Sequence, residues 1–297
     1  MNDRPVEVWR LPEEEWRAGS RAVTWTVGPA GEPAVLLVPE RYAAPAGAWP
    51  SVGLPFDGEV VVHGPAGPWR VPLTGVGVAP DLLALLPGGR VLLADCRADE
   101  LADGWEHNGQ VFGPDGSPTR SLQLGDDIQA LTTDRDGRIW LAFGDEGNYG
   151  DNPIGRCGLV GLDTAGRTVW QPDFKQLGDY PLEGLAAATE GRRAWLAWYG
   201  ERGHLTGIDP AGGEPLTVPL PGRQPMGFAI AGDRAVFLER GGDLIRCERE
   251  PRKGWREVRR QRLGALGVLG DLDRVRAYGR DGVLWFRSGN GWYRVEA

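Results

Sequence analysis

Short apolar runs recur along the chain, each closed by a turn rich in Gly, Asp or Pro. The clearest unit is Asp127-Ile-Gln-Ala-Leu-Thr-Thr-Asp-Arg-Asp-Gly-Arg-Ile-Trp-Leu-Ala-Phe143. It reads as strand, turn, strand. Ile139, Leu141 and Phe143 alternate with Trp140 and Ala142, all apolar, which predicts a strand covered on both faces. The turn Asp134-Arg-Asp-Gly137 supplies the backbone freedom a tight hairpin needs. A long irregular stretch follows from Gly144 to Cys157, then two more strands, Leu159 to Leu162 and Thr168 to Trp170.

The same order repeats from Asp81 to Ala94, from Glu183 to Trp198 and from Met226 to Leu238. A shorter last copy runs from Leu266 to Val295, and a divergent first copy from Arg21 to Thr74. Four strands per copy, at a spacing of about 50 residues, is the arithmetic of a β-propeller. The expected architecture is all-β: one β-propeller domain of six four-stranded blades. Its blades fall at approximately 20–78, 79–125, 126–181, 182–224, 225–264 and 265–297. Val6 to Leu11 is strand-like, and residues 5–11 are expected to pair with the last blade and clasp the ring.

Composition narrows the choice. Gly (46) and Pro (24) make up nearly a quarter of 297 residues, which excludes a helical bundle. A hydrophobic share of 41%, with 13 Trp, excludes a disordered chain. The net charge of −8 argues against a nucleic-acid binder. Cys96, Cys157 and Cys247 are odd in number and form no C-x-x-C pair, which points to a reducing compartment. Met1 to Arg10 is polar, without a signal-peptide pattern, and no apolar run is long enough to span a membrane. These features predict a cytoplasmic protein.

The element Asp134-Arg-Asp-Gly-Arg-Ile-Trp140 resembles the repeat of NHL, gluconolactonase-like and streptogramin-lyase-like propellers. Further strings extend the resemblance over Asn108 to Pro210. They are Asn108-Gly-Gln-Val-Phe-Gly-Pro-Asp-Gly116, Gly125-Asp-Asp-Ile-Gln129, Asp145-Glu-Gly147, Pro153-Ile-Gly155 and Gly158-Leu-Val160. Together these are similar to a family of uncharacterised bacterial six-bladed propellers. The chain departs from that pattern at Leu141-Ala-Phe-Gly144, where the family carries more aromatic residues. The resemblance implies the fold and brings no reaction with it.

In a propeller, loops between the second and third strands of a blade share a face with the links between blades. Two such loops are long here, Asp95 to Trp105 and Gly144 to Gly155, and long loops in compact repeats carry function more often than short ones. They are acidic. Asp145, Glu146, Asn148 and Asp151 are hard oxygen ligands suited to Ca²⁺ or Mg²⁺. Asp95, Trp105, Tyr149, Asn152, Trp198, Tyr199 and Glu201 are candidate contacts for a small molecule or peptide, the aromatic rings offering cation–π faces. His107 joins Asp145 and Glu146 as a candidate acid/base group. His107 falls level with Cys157, while His204 is one residue out of step, so a zinc site from these three is not expected.

No G-x-S-x-G, P-loop or dinucleotide-binding glycine motif is present. The basic stretch Arg246 to Arg262 reads as a charged outer strand guarding a sheet edge. Glu13-Glu-Glu15 beside Trp16 reads as one helical turn. Three uses of the fold remain from the sequence. They are a ligand-binding propeller, an enzyme of hydrolase or lyase type with or without a divalent cation, and a protein-interaction scaffold.

Overall fold

The repeated hairpins form for a local reason. In Asp134–Arg138 the Asp134 carboxylate accepts hydrogen bonds from the backbone N–H groups of Asp136 (3.0 Å) and Arg138 (2.9 Å). Its second oxygen accepts from the Trp140 indole at 3.0 Å. Gly137 takes the positive φ of 83° that closes the turn. Asp163 and Asp209 make the same turn with Ala165 and Ala211. A second device fixes the large aromatics. Trp140 pairs in register with Gly161, and Trp195 with Gly207. A Cβ on either glycine would stand 2.7 Å from the facing indole, so glycine leaves the space the ring fills.

These hairpins assemble into a ring of four-stranded sheets, seen in a computed structural model that describes residues 4–43, 52–64, 67–222, 224–250, 254–266 and 276–297. Blade 1 is Ser20–Val27, Pro33–Pro39, Phe56–Gly64 and Gly67–Val76. Blade 2 is Leu82–Leu86, Arg90–Ala94, Gly109–Phe112 and Pro118–Leu122. Blade 3 is Ile128–Thr133, Ile139–Phe143, Leu159–Leu162 and Thr168–Trp170. Blade 4 is Glu183–Glu190, Arg193–Tyr199, Gly203–Ile208 and Leu216–Pro219. Blade 5 is Pro225–Ala231, Arg234–Glu239, Asp243–Glu250 and Gly254–Arg262. Blade 6 is Ala277–Arg280, Val283–Ser288 and Gly291–Glu296, completed by the N-terminal Val6–Arg10. That last pairing is antiparallel, Val6 against Arg294, so the chain's first strand clasps its last blade. Trp9 reinforces the clasp by packing on Trp292 (4.3 Å between centroids) and on His63 (4.7 Å).

The core lies between blades. Apolar clusters fill each gap in turn, including the closing one, where Trp25, Val35 and Val61 of blade 1 meet Tyr278, Trp285 and Trp292 of blade 6. Each sheet is therefore covered on both faces, which is why runs such as Ile139–Phe143 are apolar at every position. Glu13–Arg17 is the short helix expected from its acidic run. The arginines of the basic outer strand are neutralised locally: Arg256 pairs with Glu248 and Glu250, and Arg260 with Glu239, Asp243 and Glu257. Arg252, Lys253 and part of the last repeat (267–275) fall outside the described residues. No helix among the described residues is long and apolar enough to cross a membrane.

Candidate functional site

The two ends of the central channel differ. At the turn face, where first and second strands join, blade 6 crosses the axis. Its first strand pairs in parallel with that of blade 4, Ala188 with Gly279 and Thr189 with Arg280. Arg280 is 2% exposed. Its guanidinium donates to Val27 O at 2.9 and 2.7 Å, to Thr133 O at 2.9 Å, to Thr189 Oγ1 at 3.2 Å and to Thr132 Oγ1. Blades 1, 3, 4 and 6 thus meet on one side chain. Burial pulls the guanidinium down to about 10. Asp281 continues the plug, accepting from Gly191 N at 2.7 Å and pairing with Arg135 at 2.7 Å.

At the loop face, the first strand of each blade begins, and the residue before it stands at the channel mouth. Asp81 precedes blade 2's first strand, and Asp95 follows its second. Their carboxylates and the Cys96 thiol bring ligand atoms within 4.8 Å of one another. The Cys96 N–H and S–H both donate to Asp81 Oδ2, at 3.3 and 3.1 Å. Neighbouring blades fix the group in place: Arg276 of blade 6 donates to Asp81 O at 2.6 Å, Thr24 of blade 1 to the same oxygen at 3.2 Å, and Ile128 N of blade 3 to Cys96 O at 2.8 Å. Buried Asn108 anchors the loop by donating to Asp95 O (3.1 Å) and Gly125 O (2.8 Å).

The electrostatics of this group are uneven. Half-burial pushes the Asp95 carboxyl up to about 6, and the neighbouring Asp81 adds to the rise, against the bond from Arg97 N at 2.8 Å. Burial, with Asp81 beside it, pushes the Cys96 thiol up to about 12. The thiol is therefore a protonated donor to Asp81. A cation here would be held first by the two carboxylates, with sulfur joining only after losing its proton.

Beside this group, Arg97 links the two long loops. It pairs with Asp126 at 3.1 Å and with Glu146. Glu146 belongs to a single helical turn, Asp145–Tyr149, whose start is held by Asp127: its Oδ2 accepts from Glu146 N at 3.2 Å, and its carbonyl from Gly144 N at 2.8 Å.

The residues expected from the sequence divide into two sets. Asp95, Glu146, Asp145, Asp151, Trp105, Tyr149, Tyr199, Glu201 and His107 lie in or beside loops of the expected face, exposed or half-buried. Asn148, Asn152 and Trp198 are instead buried, and Asn148 Oδ1 and Asn152 Nδ2 are left without a hydrogen-bond partner among the described residues. Asn148 donates to Gly144 O (2.9 Å) and Leu182 O (2.7 Å), and Asn152 Oδ1 caps Ile154 N at 3.0 Å. Trp198 is fully buried, donates to Thr206 Oγ1 at 2.9 Å and stacks on His204 at 4.3 Å, so it offers no face to a cation. Asp145, Glu146 and Asp151 do not form a close ligand group among the described residues; Asp145 accepts from Glu146 N, and Glu146 is engaged by Arg97. His204 is bound to Asp179 at 2.8 Å, while Cys157 lies 3.6 Å from Gln171.

Asp81, Cys96, Arg97, Asp126 and Arg276 were not among the expected site residues. The signal that points to two of them is positional: Asp81 and Arg276 each stand directly before a blade's first strand.

No protein-family model matches the sequence, and no curated protein matches it. Solved structures do. A chain of the mitotic checkpoint complex is 10% identical, over 94% of this chain and 76% of that one, with a TM-score of 0.54. A chain in the complex of KlAtg21 with the coiled-coil of AgAtg16 is 8% identical, over 90% and 78%, with a TM-score of 0.54. A gluconolactonase of Xanthomonas campestris is 12% identical, over 99% and 95%, with a TM-score of 0.48. At 8–10% identity, the two structures with a TM-score of 0.54 share with this chain its fold alone.

Proposed function

We propose that the protein binds a small, positively charged ligand, a molecule or peptide group, at the channel mouth on the loop face. Asp81 and Asp95 are its polar anchor, with Arg97, Asp126 and Glu146 beside them. One observation carries this reading. The half-buried Asp81 and Asp95 carboxylates and the Cys96 thiol converge within 4.8 Å of one another, and burial, with Asp81 beside it, pushes the Asp95 carboxyl up to about 6. A carboxyl that burial holds above its ordinary range, beside a second carboxylate, is relieved by a bound cation. Trp105, Tyr149, Asp151, Tyr199 and Glu201, exposed or half-buried in loops of the same face, are the further ligand contacts this reading proposes.

The test is thermal melting at pH 7.5 against Ca²⁺, Mg²⁺, Mn²⁺ and spermidine, in the wild type and in Asp95→Asn. At least one cation is expected to raise the wild-type melting temperature by mass action, and that rise should disappear in the variant. A flat wild-type response to all four sinks the proposal.

A catalytic reading rests on the same carboxyl. A group that titrates near pH 6 in a half-buried mouth suits general acid–base work of the hydrolase or lyase type. Turnover of a lactone and ester panel, lost in Asp95→Asn with melting temperature preserved, is the expected result if that reading holds. Absence of turnover in the wild type counts against it.

A further inference from the structure

Blades 1 and 2 part on the turn face, and a cleft of about 310 Å³ opens there. Its size falls at the small end of ligand sites, roughly 300 Å³ and upward. The floor is apolar: Val62, Val71 and Val91 are at most 2% exposed, and Leu85 is 8% exposed. One wall is the Trp69 indole, 41% exposed. The local sequence explains that exposure. Trp69 opposes Val62 in register, and a Cβ at the neighbouring Gly64 would stand 2.5 Å from its ring. Gly64, at the end of the neighbouring strand, lets the indole lie close against it, and the indole also lines the cleft.

Three charged residues line the cleft, and their partners set its preference. Glu32, from the first turn of blade 1, accepts from Ala30 N at 2.9 Å. Arg135 is committed to Asp281 at 2.7 Å. Arg90 donates through Nε to Pro87 O at 2.9 Å, and its terminal nitrogens meet no carboxylate among the described residues. A guanidinium with both terminal nitrogens uncommitted matches the fork of a carboxylate. Glu32 in the same cleft repels a second negative charge.

We propose that this cleft binds a small monocarboxylate with an aromatic or branched apolar body, its ring against Trp69 and its carboxylate on Arg90. The apolar floor supplies the attraction, Arg90 selects the acid over its neutral analogue, and Glu32 disfavours a diacid. This site is separate from the channel mouth, which lies on the opposite face.

The test is isothermal titration of the full chain with 3-phenylpropanoate, 3-phenylpropanamide and phenylsuccinate. The monoacid is expected to bind at one site, with the amide and the diacid each at least about tenfold weaker. Arg90→Gln should weaken the monoacid about tenfold and leave the amide unchanged. Trp69→Ala should weaken both; if it fails to fold, the milder Trp69→Phe should retain binding and Arg90→Gln alone decides. Asp95→Asn, on the other face, should change none of these. Absence of saturable monoacid binding overturns the proposal, as does binding indifferent to Arg90→Gln. A concentration-dependent dimer that Trp69→Ala abolishes also overturns it, since a second copy would then cover the cleft.

Discussion

The two ends of the channel each present charge near the axis and solve it in opposite ways. At the turn face Arg280 is fully buried, yet its hydrogen bonds run to carbonyls and hydroxyls of three other blades. At the loop face Asp95 is only half-buried, yet it sits beside a second carboxylate and its carboxyl is pushed up to about 6. Burial alone therefore does not mark the reactive end. A charge whose donors are satisfied behaves as a joint between blades. A carboxyl that burial, and then a neighbouring carboxylate, hold above its ordinary range is poised to take up a proton or a cation.

The sharpest way to break this comparison is to remove the joint. Arg280→Met leaves Val27 O, Thr133 O and two threonine hydroxyls without their buried donor. Each orphaned group costs on the order of 1–3 kcal/mol, so a loss of about 3 kcal/mol or more is expected. Arg280→Lys should recover only part, because one ammonium cannot reach partners spread over three blades. Urea unfolding measures both. A loss below about 1 kcal/mol in Arg280→Met would show that the plug does not hold the ring.

The opposite sign is expected at the other end. Asp95 has a folded-state pKa of about 6, above the ordinary 3.8. The folded protein therefore binds the Asp95 proton more tightly than the unfolded chain does. Its contribution to stability is fully present below about pH 4 and is lost as pH rises through 6. Asp95→Asn should be more stable than wild type at pH 7.5 and equal to it at pH 4. The full shift would correspond to about 3 kcal/mol, but the group is half exposed and screened, so a gain of about 1 kcal/mol is expected. Unfolding at the two pH values decides it. A variant that is less stable at pH 7.5 would make Asp95 structural, like Arg280.

The hairpins, the blade order and the clasping strand were legible because each is a local pattern: an Asp/Gly turn, an apolar run, a strand-like Val6–Leu11. The face of the long loops followed from topology, and Asp95 with it. What stayed hidden depends on ring closure. Arg280 reads as one more charge beside a hairpin turn, and only the parallel pairing of blades 4 and 6 puts it on the axis. Asp81 reads as a strand-start residue until Arg276 and Thr24, far along the chain, converge on its carbonyl. Trp198 reads as a strand-end aromatic open to a ligand. Its register partner is His204, whose ring stacks on it, and that contact could not be seen without the pairing.

The smallest effect tests the boundary between the two ends. Arg97 ties the Asp95 loop to the Asp145–Tyr149 turn through Asp126 and Glu146. Its side chain is 50% exposed, and Glu146's is 62% exposed. Such pairs contribute roughly 0–1 kcal/mol, because solvent screens the attraction and two long side chains lose freedom. Arg97→Gln should therefore shift global stability by no more than about 0.5 kcal/mol. Its effect should be local: faster amide hydrogen exchange in residues 145–149, where the turn keeps its Asp127 anchor but loses its tie to blade 2. If the variant instead loses stability on the scale of Arg280→Met, the loop face is a second structural joint. The contrast between a sealed end and a poised end would then fail, and the proposed binding site with it.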